Sequence, residues 1–284
     1  METILKSEKK EVTISFKTPF TIIGEKINPT GRKKLAAALK EGDTDYVKQL
    51  AIQQVESGAD ILDVNVGVPG IDEVALLPEV ARLVTEIVDV PVCLDSANHQ
   101  AIAAALEVLP GEPLVNSVNG EEKSLEAVLP VVKEFGVAVI GLTMDDDGIP
   151  NDAEKRLAIA EKILERAAKL GIGAERVVID PLVLTVGADS NAGATTLQTI
   201  QLLRKHFGVN INLGASNVSF GLPDRHTVNQ AFLSLAMGLG ATCAITDPIK
   251  LTSTIRATDL LMGRDNFGAR YIGYWRKHKP AEDS

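Results

Sequence analysis

The sequence predicts an α/β fold: a single (β/α)8 TIM barrel with a short N-terminal extension, its core running over about residues 20–263. Three observations carry this. Short apolar, β-branched runs alternate eight times with longer amphipathic segments. The runs are almost continuously apolar, as strands covered on both faces are. No glycine fingerprint follows the first of them, where an open doubly wound sheet carries one. That turn reads GEKINPTG (residues 24–31), and neither GxGxxG nor a P-loop occurs.

Taken in order, residues 12–16 alternate like a short strand and predict a cap on the barrel floor. Eight strands are expected at residues 20–25, 60–66, 91–96, 114–118, 137–144, 177–184, 211–216 and 241–247. Between and after them, apolar residues three and four apart predict helices at 46–57, 74–88, 101–108, 124–135, 152–170, 195–207, 228–239 and 251–262. The tail, residues 271–284, is expected to fray. No linker or low-complexity tract divides the chain, so residues 1–284 are expected to form one domain.

Of 284 residues, 45% are hydrophobic, enough for a sizeable core, and the formal charge is −9. That balance gives nucleic-acid binding little support. The two cysteines, Cys93 and Cys243, each lie inside an apolar run and form no CxxC. A disulfide framework or zinc site is therefore not expected, and a reducing cytoplasm fits. The N-terminus lacks an apolar signal-like segment, and no run reaches the ~18 residues of a membrane span.

In a barrel of this kind the C-terminal ends of all strands converge on one face and build the site. Here those ends carry Glu25 with Asn28, Asp63 with Asn65, Asp95 with Asn98, Asn116 with Asn119, Asp145, Asp180, Ser216 with Asn217, and Asp247. Any one of them, Asp247 or Asn98 for instance, serves more often as a helix cap. Asp63, Asp95 and Asp180 lie within or directly after apolar runs, and buried carboxylates need donors around them. Ionised carboxylates only accept hydrogen bonds, which suits the N–H-rich edge of a 2-amino-4-oxo-pyrimidine ring. Asn217 brings a neutral amide, not an acid, base or nucleophile, to the same mouth.

In register, GEKIN, ILDVNVG, CLDSAN, LVNSVNG, GLTMDDDGIP, VVIDPLVL and SNVSFGLPDR resemble the methyltetrahydrofolate:corrinoid methyltransferases. The pattern is shared with the folate domain of cobalamin-dependent methionine synthase and, more distantly, with dihydropteroate synthase. The match runs from about residue 20 to residue 247. The resemblance implies a pterin-binding barrel that passes a methyl group from N5 of methyltetrahydrofolate to the Co(I) of a corrinoid (cobalamin) held by a partner corrinoid protein. It further implies no metal bound by the chain itself, a homodimer, and a place in anaerobic one-carbon metabolism: acetogenesis, O-demethylation or glycine-betaine demethylation. Carried over position by position, Asp95, Asn116 and Asp180 would grip the pterin, while Gly214 and Ser216 shape the adjacent wall. Asn217 would bond N5, Asp63 and Asn65 would support the floor, and Arg225 would lie toward the tail of the folate.

Other features are expected to be structural. Asp145–Asp147 with Gly148 lacks the ligand spacing of a calcium loop and predicts an exposed loop. Lys26 is ranked as tail-binding or structural, and Gly240 as a helix C-cap. His99, His206, His226 and His278 are not expected to act in catalysis. Dihydropteroate synthase is the rival enzyme. It holds a departing pyrophosphate with a basic strand-end lysine and an Arg/His cluster after the last strand. At those points this chain offers Asn217 and TDPIK (residues 246–250), so no such cluster is expected. A non-catalytic pterin- or corrinoid-binding protein is the rival of another class. With no DxHxxG present, the corrinoid is expected on another protein or free.

Overall fold

The computed structural model describes residues 1–279. Two strands, β1 (Glu2–Lys6) and β2 (Glu11–Ser15), pair antiparallel, with Glu2 opposite Ser15. The apolar face of this hairpin, Leu5, Val12 and Ile14, packs into the barrel interior with Ile23, Ile61, Cys93, Leu114, Ala138, Ile140, Val178 and Cys243. The floor cap therefore has two strands where the sequence suggested one.

The barrel strands are β3 (Thr21–Ile27), β4 (Ile61–Val64), β5 (Val92–Asp95), β6 (Leu114–Asn119), β7 (Ala138–Leu142), β8 (Val177–Asp180) and β9 (Cys243–Thr246). All pair in parallel in the order β8-β7-β6-β5-β4-β3-β9. The eighth position, between β8 and β9, belongs to the extended residues 211–214. Ile211 bridges Ile179, and Gly214 bridges Ile245. The amide of Asn212 donates to Ile179 O and that of Ile245 to Leu213 O, each at 2.9 Å. The ring closes as expected, but its seventh member in sequence is held by single bridges rather than a full ladder. The strand expected at residues 177–184 stops at Asp180, because Pro181 has no N–H and Leu182 adopts a left-handed φ of 61°.

Helices α1 (Lys33–Glu41) and α2 (Thr44–Glu56) both follow β3. The outer ring continues with α3 (Glu73–Ile87), α4 (His99–Val108), α5 (Glu122–Phe135), α6 (Ala153–Lys169), α7 (Ala192–His206), α8 (Arg225–Leu239) and α9 (Pro248–Leu261). A last helix, α10 (Ala269–His278), lies where the tail was expected to fray. It is tied down by Arg270 to Asp60 (3.2 Å) and by His278 Nε2 to Glu56 O (3.1 Å). Residues 280–284, the remainder of that tail, lie outside the described residues. Gly240, with φ 122°, closes α8 as expected.

Strand parity fixes the chemistry of the interior, since successive side chains point to opposite faces. Leu62, Val64, Val92, Leu94, Val115, Val139, Val177 and Ile179 pack outward against helices. Ile61, Cys93, Leu114, Ala138, Val178 and Cys243 point inward as an apolar layer. Two residues further along the inward face come Asp63, Asp95, Asn116 and Asp180, which places polar groups at the C-terminal mouth above an apolar plug. No helix among the described residues is long and apolar enough to cross a membrane.

Candidate active site

Asp63, Asp95, Asn65, Asn116 and Asn28 form one side of the mouth. Asp95 Oδ2 accepts from Asn65 Nδ2 at 3.0 Å and from Asn28 Nδ2 at 3.3 Å, and Asn116 Nδ2 donates to Asp63 Oδ1 at 3.3 Å. Burial pushes the Asp63 carboxyl well above the usual carboxylate range, and the nearby Asp95 charge pushes it further. Burial also raises Asp95, offset by the Asn65 amide and reinforced by the charge of Glu73. A cavity of 430 Å³ opens beside these carboxylates, lined by Asp95, Asn116, Ser117, Asn119 and Leu142 among others.

Asp180 forms the second cluster. Its Oδ1 accepts from Leu182 N at 2.8 Å, and its Oδ2 from Asn212 Nδ2 at 2.7 Å. Burial raises its pKa to about 6, against the pull of these two donors. The turn that follows is clamped by Arg156 of α6, which is fully buried at 0% exposure. One of its guanidinium nitrogens donates to Pro181 O (2.7 Å) and Leu182 O (2.8 Å), while Nε donates to Pro150 O (2.7 Å). Neither Asn212 nor Arg156 was expected from the sequence. Asn212 carried a readable signal, because it alternates with the outward Ile211 and Leu213 and so must face inward beside Asp180.

The third cluster follows residues 211–214. Ala215–Ser219 form a short 3₁₀ helix directly after the extended residues 211–214, so Ser216 and Asn217 follow the C-terminal end of that barrel position. A Cβ on Gly214 would lie 3.0 Å from Asn217 Nδ2, so the small residue lets the amide cross the backbone there. Asn217 is exposed, and its side chain makes no hydrogen bond among the described residues. Arg225, at the start of α8, braces this turn by donating from Nε to Ser219 Oγ (3.0 Å) and from its terminal nitrogen to Ser216 O (2.6 Å).

The other strand-end residues have local duties. Asn98 caps α4 through Gln100 N (3.0 Å), and Asp145 closes a turn with Gly148. Asp247 caps α9 through Ile249 N (3.1 Å) and also pairs with Lys26 Nζ at 2.5 Å. A basic cavity forms beside the mouth from Lys26, Arg32, Arg225, His226 and Lys250, of which only Lys250 follows the last strand. They come from three separate segments, which a linear motif cannot display. Among the described residues, no group of three or more His, Cys, Asp or Glu is arranged to hold a metal ion.

Residues 24–247, which span all three clusters, match the family described as pterin binding enzyme. The chain belongs to that family. Within it, the chain is 32% identical over 266 residues to a methylcorrinoid:tetrahydrofolate methyltransferase of Eubacterium limosum, covering 91% of this chain and 97% of that one. It is also 32% identical over 243 residues to methionine synthase of Mycobacterium tuberculosis, where the match covers 81% of this chain but 20% of the relative. The fold is that of the Yersinia pestis dihydropteroate synthase crystal structure, with a TM-score of 0.71 at 16% identity over 93% of this chain and 100% of that one.

Proposed function

We propose that this pterin-binding enzyme is a methyltransferase that moves a methyl group between N5 of methyltetrahydrofolate and the Co(I) corrinoid of a partner protein. The observation that carries the proposal is the pairing of a carboxylate-lined mouth with an uncharged, unengaged amide at Asn217. Support comes from the Eubacterium limosum relative, which is matched over nearly the whole of both chains and is named for this methyl transfer.

In this account Asp95 and Asp180 accept from the N–H groups of the pyrimidine edge, and Asn116 completes the grip. Asp63 and Asn65 hold those groups from below, through the bonds to Asn116 and Asp95. Gly214 and Ser216 form the wall, and Asn217 faces N5. The cobalt contributes an electron pair to the methyl carbon, and the N5–C bond breaks with its pair left on N5. That nitrogen then takes a proton from solvent. Charge at N5 therefore changes along the path, and an uncharged amide facing that atom stabilises the transition state more than the ground state. Reversal methylates tetrahydrofolate and returns Co(I). The account also carries a cytoplasmic homodimer working in anaerobic one-carbon metabolism, with sedimentation at twice the monomer mass as the check on the dimer.

The acid side of binding follows from Asp180. Its carboxylate is ionised above about pH 6 and protonated below. Since only the ionised form accepts two donors from the ring, pterin affinity is expected to hold above that pH and to fall as pH drops through it. Asn212→Ala removes a donor to the charged form and is expected to move this midpoint upward. Isothermal titration across pH checks both, and an unchanged midpoint in the variant would remove Asn212 from the site.

Dihydropteroate synthase shares the fold, and the basic cavity makes a direct comparison of activities worthwhile. Purified protein is expected to convert methyltetrahydrofolate and reduced cobalamin to tetrahydrofolate and methylcobalamin. It is expected to form no dihydropteroate from a dihydropterin pyrophosphate and p-aminobenzoate. The opposite outcome would reassign the enzyme.

A further inference from the structure

Asn212 holds Asp180 from a segment that is itself lightly held. The extended residues 211–214 join their neighbours through single bridges, Ile211 to Ile179 and Gly214 to Ile245. Gly214 beside Ile245 puts Asn212 beside Cys243, two residues earlier on each, and parity turns both side chains into the barrel interior. Asn212 is buried there, next to the apolar layer to which Cys243 belongs. Its Nδ2 donates to Asp180 Oδ2 at 2.7 Å. Its Oδ1 faces the Cys243 thiol, which donates to it from Sγ at 3.6 Å.

An amide has two ends, and this pairing decides which end meets the carboxylate. Rotated by half a turn about its last torsion, the amide would set Oδ1 against the Asp180 oxygens and its N–H groups against the thiol hydrogen. That arrangement suits a protonated Asp180, whose O–H donates to Oδ1, and it opposes the ionised form that accepts from a ring. The thiol has a second acceptor in reach, Ile211 O at 3.7 Å. That carbonyl already receives the backbone amides of Thr242 at 3.0 Å and Cys243 at 3.1 Å, which occupy its two lone pairs. The thiol hydrogen therefore serves Asn212. Burial and the nearby Asp180 charge keep Cys243 protonated, so the hydrogen is there to give.

We propose that Cys243 is a positioning residue: its thiol orients the Asn212 amide with N–H toward Asp180, which keeps that carboxylate an acceptor for the bound ring. The last step of this relay rests on the assignment of Asp180 to the pterin.

The test follows protonation of Asp180 in the ligand-free protein, by NMR of carboxyl-labelled aspartate, with the Asp180 signal assigned by its loss in Asp180→Asn. The charged or titratable groups facing Asp180 are Arg156 of α6 and Cys243 of β9, and the substitutions leave Arg156 in place. Cys243→Ala is expected to raise the midpoint by about half a pH unit, the shift for one modest hydrogen bond lost to the charged form. Cys243→Ser returns a donor to the same position and is expected to bring the midpoint back. On the acid side of the midpoint, methyltetrahydrofolate should bind Cys243→Ala about threefold more weakly than wild type, with equal affinity about two pH units above it. An unmoved midpoint in Cys243→Ala overturns the proposal. So does a midpoint raised equally in Cys243→Ala and Cys243→Ser, which would mark a loss of packing and not of a donor. A midpoint that moves as expected, while pterin affinity stays flat across the same range, would uphold the thiol's hold on the amide and overturn the assignment of Asp180 to the pterin.

Discussion

Asn217→Ala is expected to lower single-turnover methyl transfer by about 10²–10³-fold, the usual loss for one preorganised donor or acceptor at a centre of changing charge. Affinity for the pterin is expected to change far less, by a factor of about three or under, because the ring is held chiefly by Asp95, Asn116 and Asp180. The separation follows from placement. Asn217 makes no side-chain hydrogen bond among the described residues, so its removal leaves no partner stranded and opens no buried space. Stopped-flow transfer under saturating pterin, beside titration of the same variant, reads the two effects independently. Wild-type transfer rates in Asn217→Ala would end its assignment to N5.

Arg156→Met is expected to destabilise the fold by about 3–5 kcal/mol, because it takes the guanidinium donors from three carbonyls, at about 1–3 kcal/mol for each buried acceptor left without one. Arg156 is 0% exposed, and its loss leaves the carbonyls of Pro150, Pro181 and Leu182 without their donor. Leu182 holds a left-handed φ of 61° and gives its N–H to Asp180 Oδ1 at 2.8 Å. Releasing that turn therefore also releases the carboxylate, and pterin affinity is expected to weaken with stability. A urea midpoint and a titration at low denaturant measure the pair of effects. An unchanged midpoint would mean that the clamp carries no net stabilisation. Lost stability with wild-type pterin affinity would uncouple Arg156 from Asp180.

The barrel was legible because its strands are read as strands by composition alone. Runs such as those that carry Asp63, Asp95 and Asp180 are apolar on both faces up to the polar residue, and eight of them without a glycine fingerprint after the first favour a barrel over an open doubly wound sheet. The mouth was legible for the same reason, since a carboxylate at the end of an apolar run is conspicuous. What stayed hidden has physical causes. The first hairpin strand and α1 are short, 5 and 9 residues, and draw their stability from packing rather than from a long periodic pattern. Helix α10 has no buried residue of its own and is held by Arg270 and His278 reaching distant partners. Arg156 reads as one more charge on an amphipathic helix, and only the fold shows it turned inward beneath Asp180. The basic cavity is assembled from residues more than two hundred positions apart, Lys26 and Lys250, so no local motif announces it.

The central claim is that the mouth of this barrel activates N5 for exchange of its methyl group with cobalt. The most direct measurement is the absorbance of a reduced corrinoid mixed anaerobically with the protein and methyltetrahydrofolate. Loss of the Co(I) spectrum with matching growth of methyl-Co(III), dependent on the enzyme and slowed in Asn217→Ala, is the predicted result. A Co(I) spectrum that persists, under conditions where titration shows the pterin bound, would contradict the account and leave a pterin-binding protein without this chemistry.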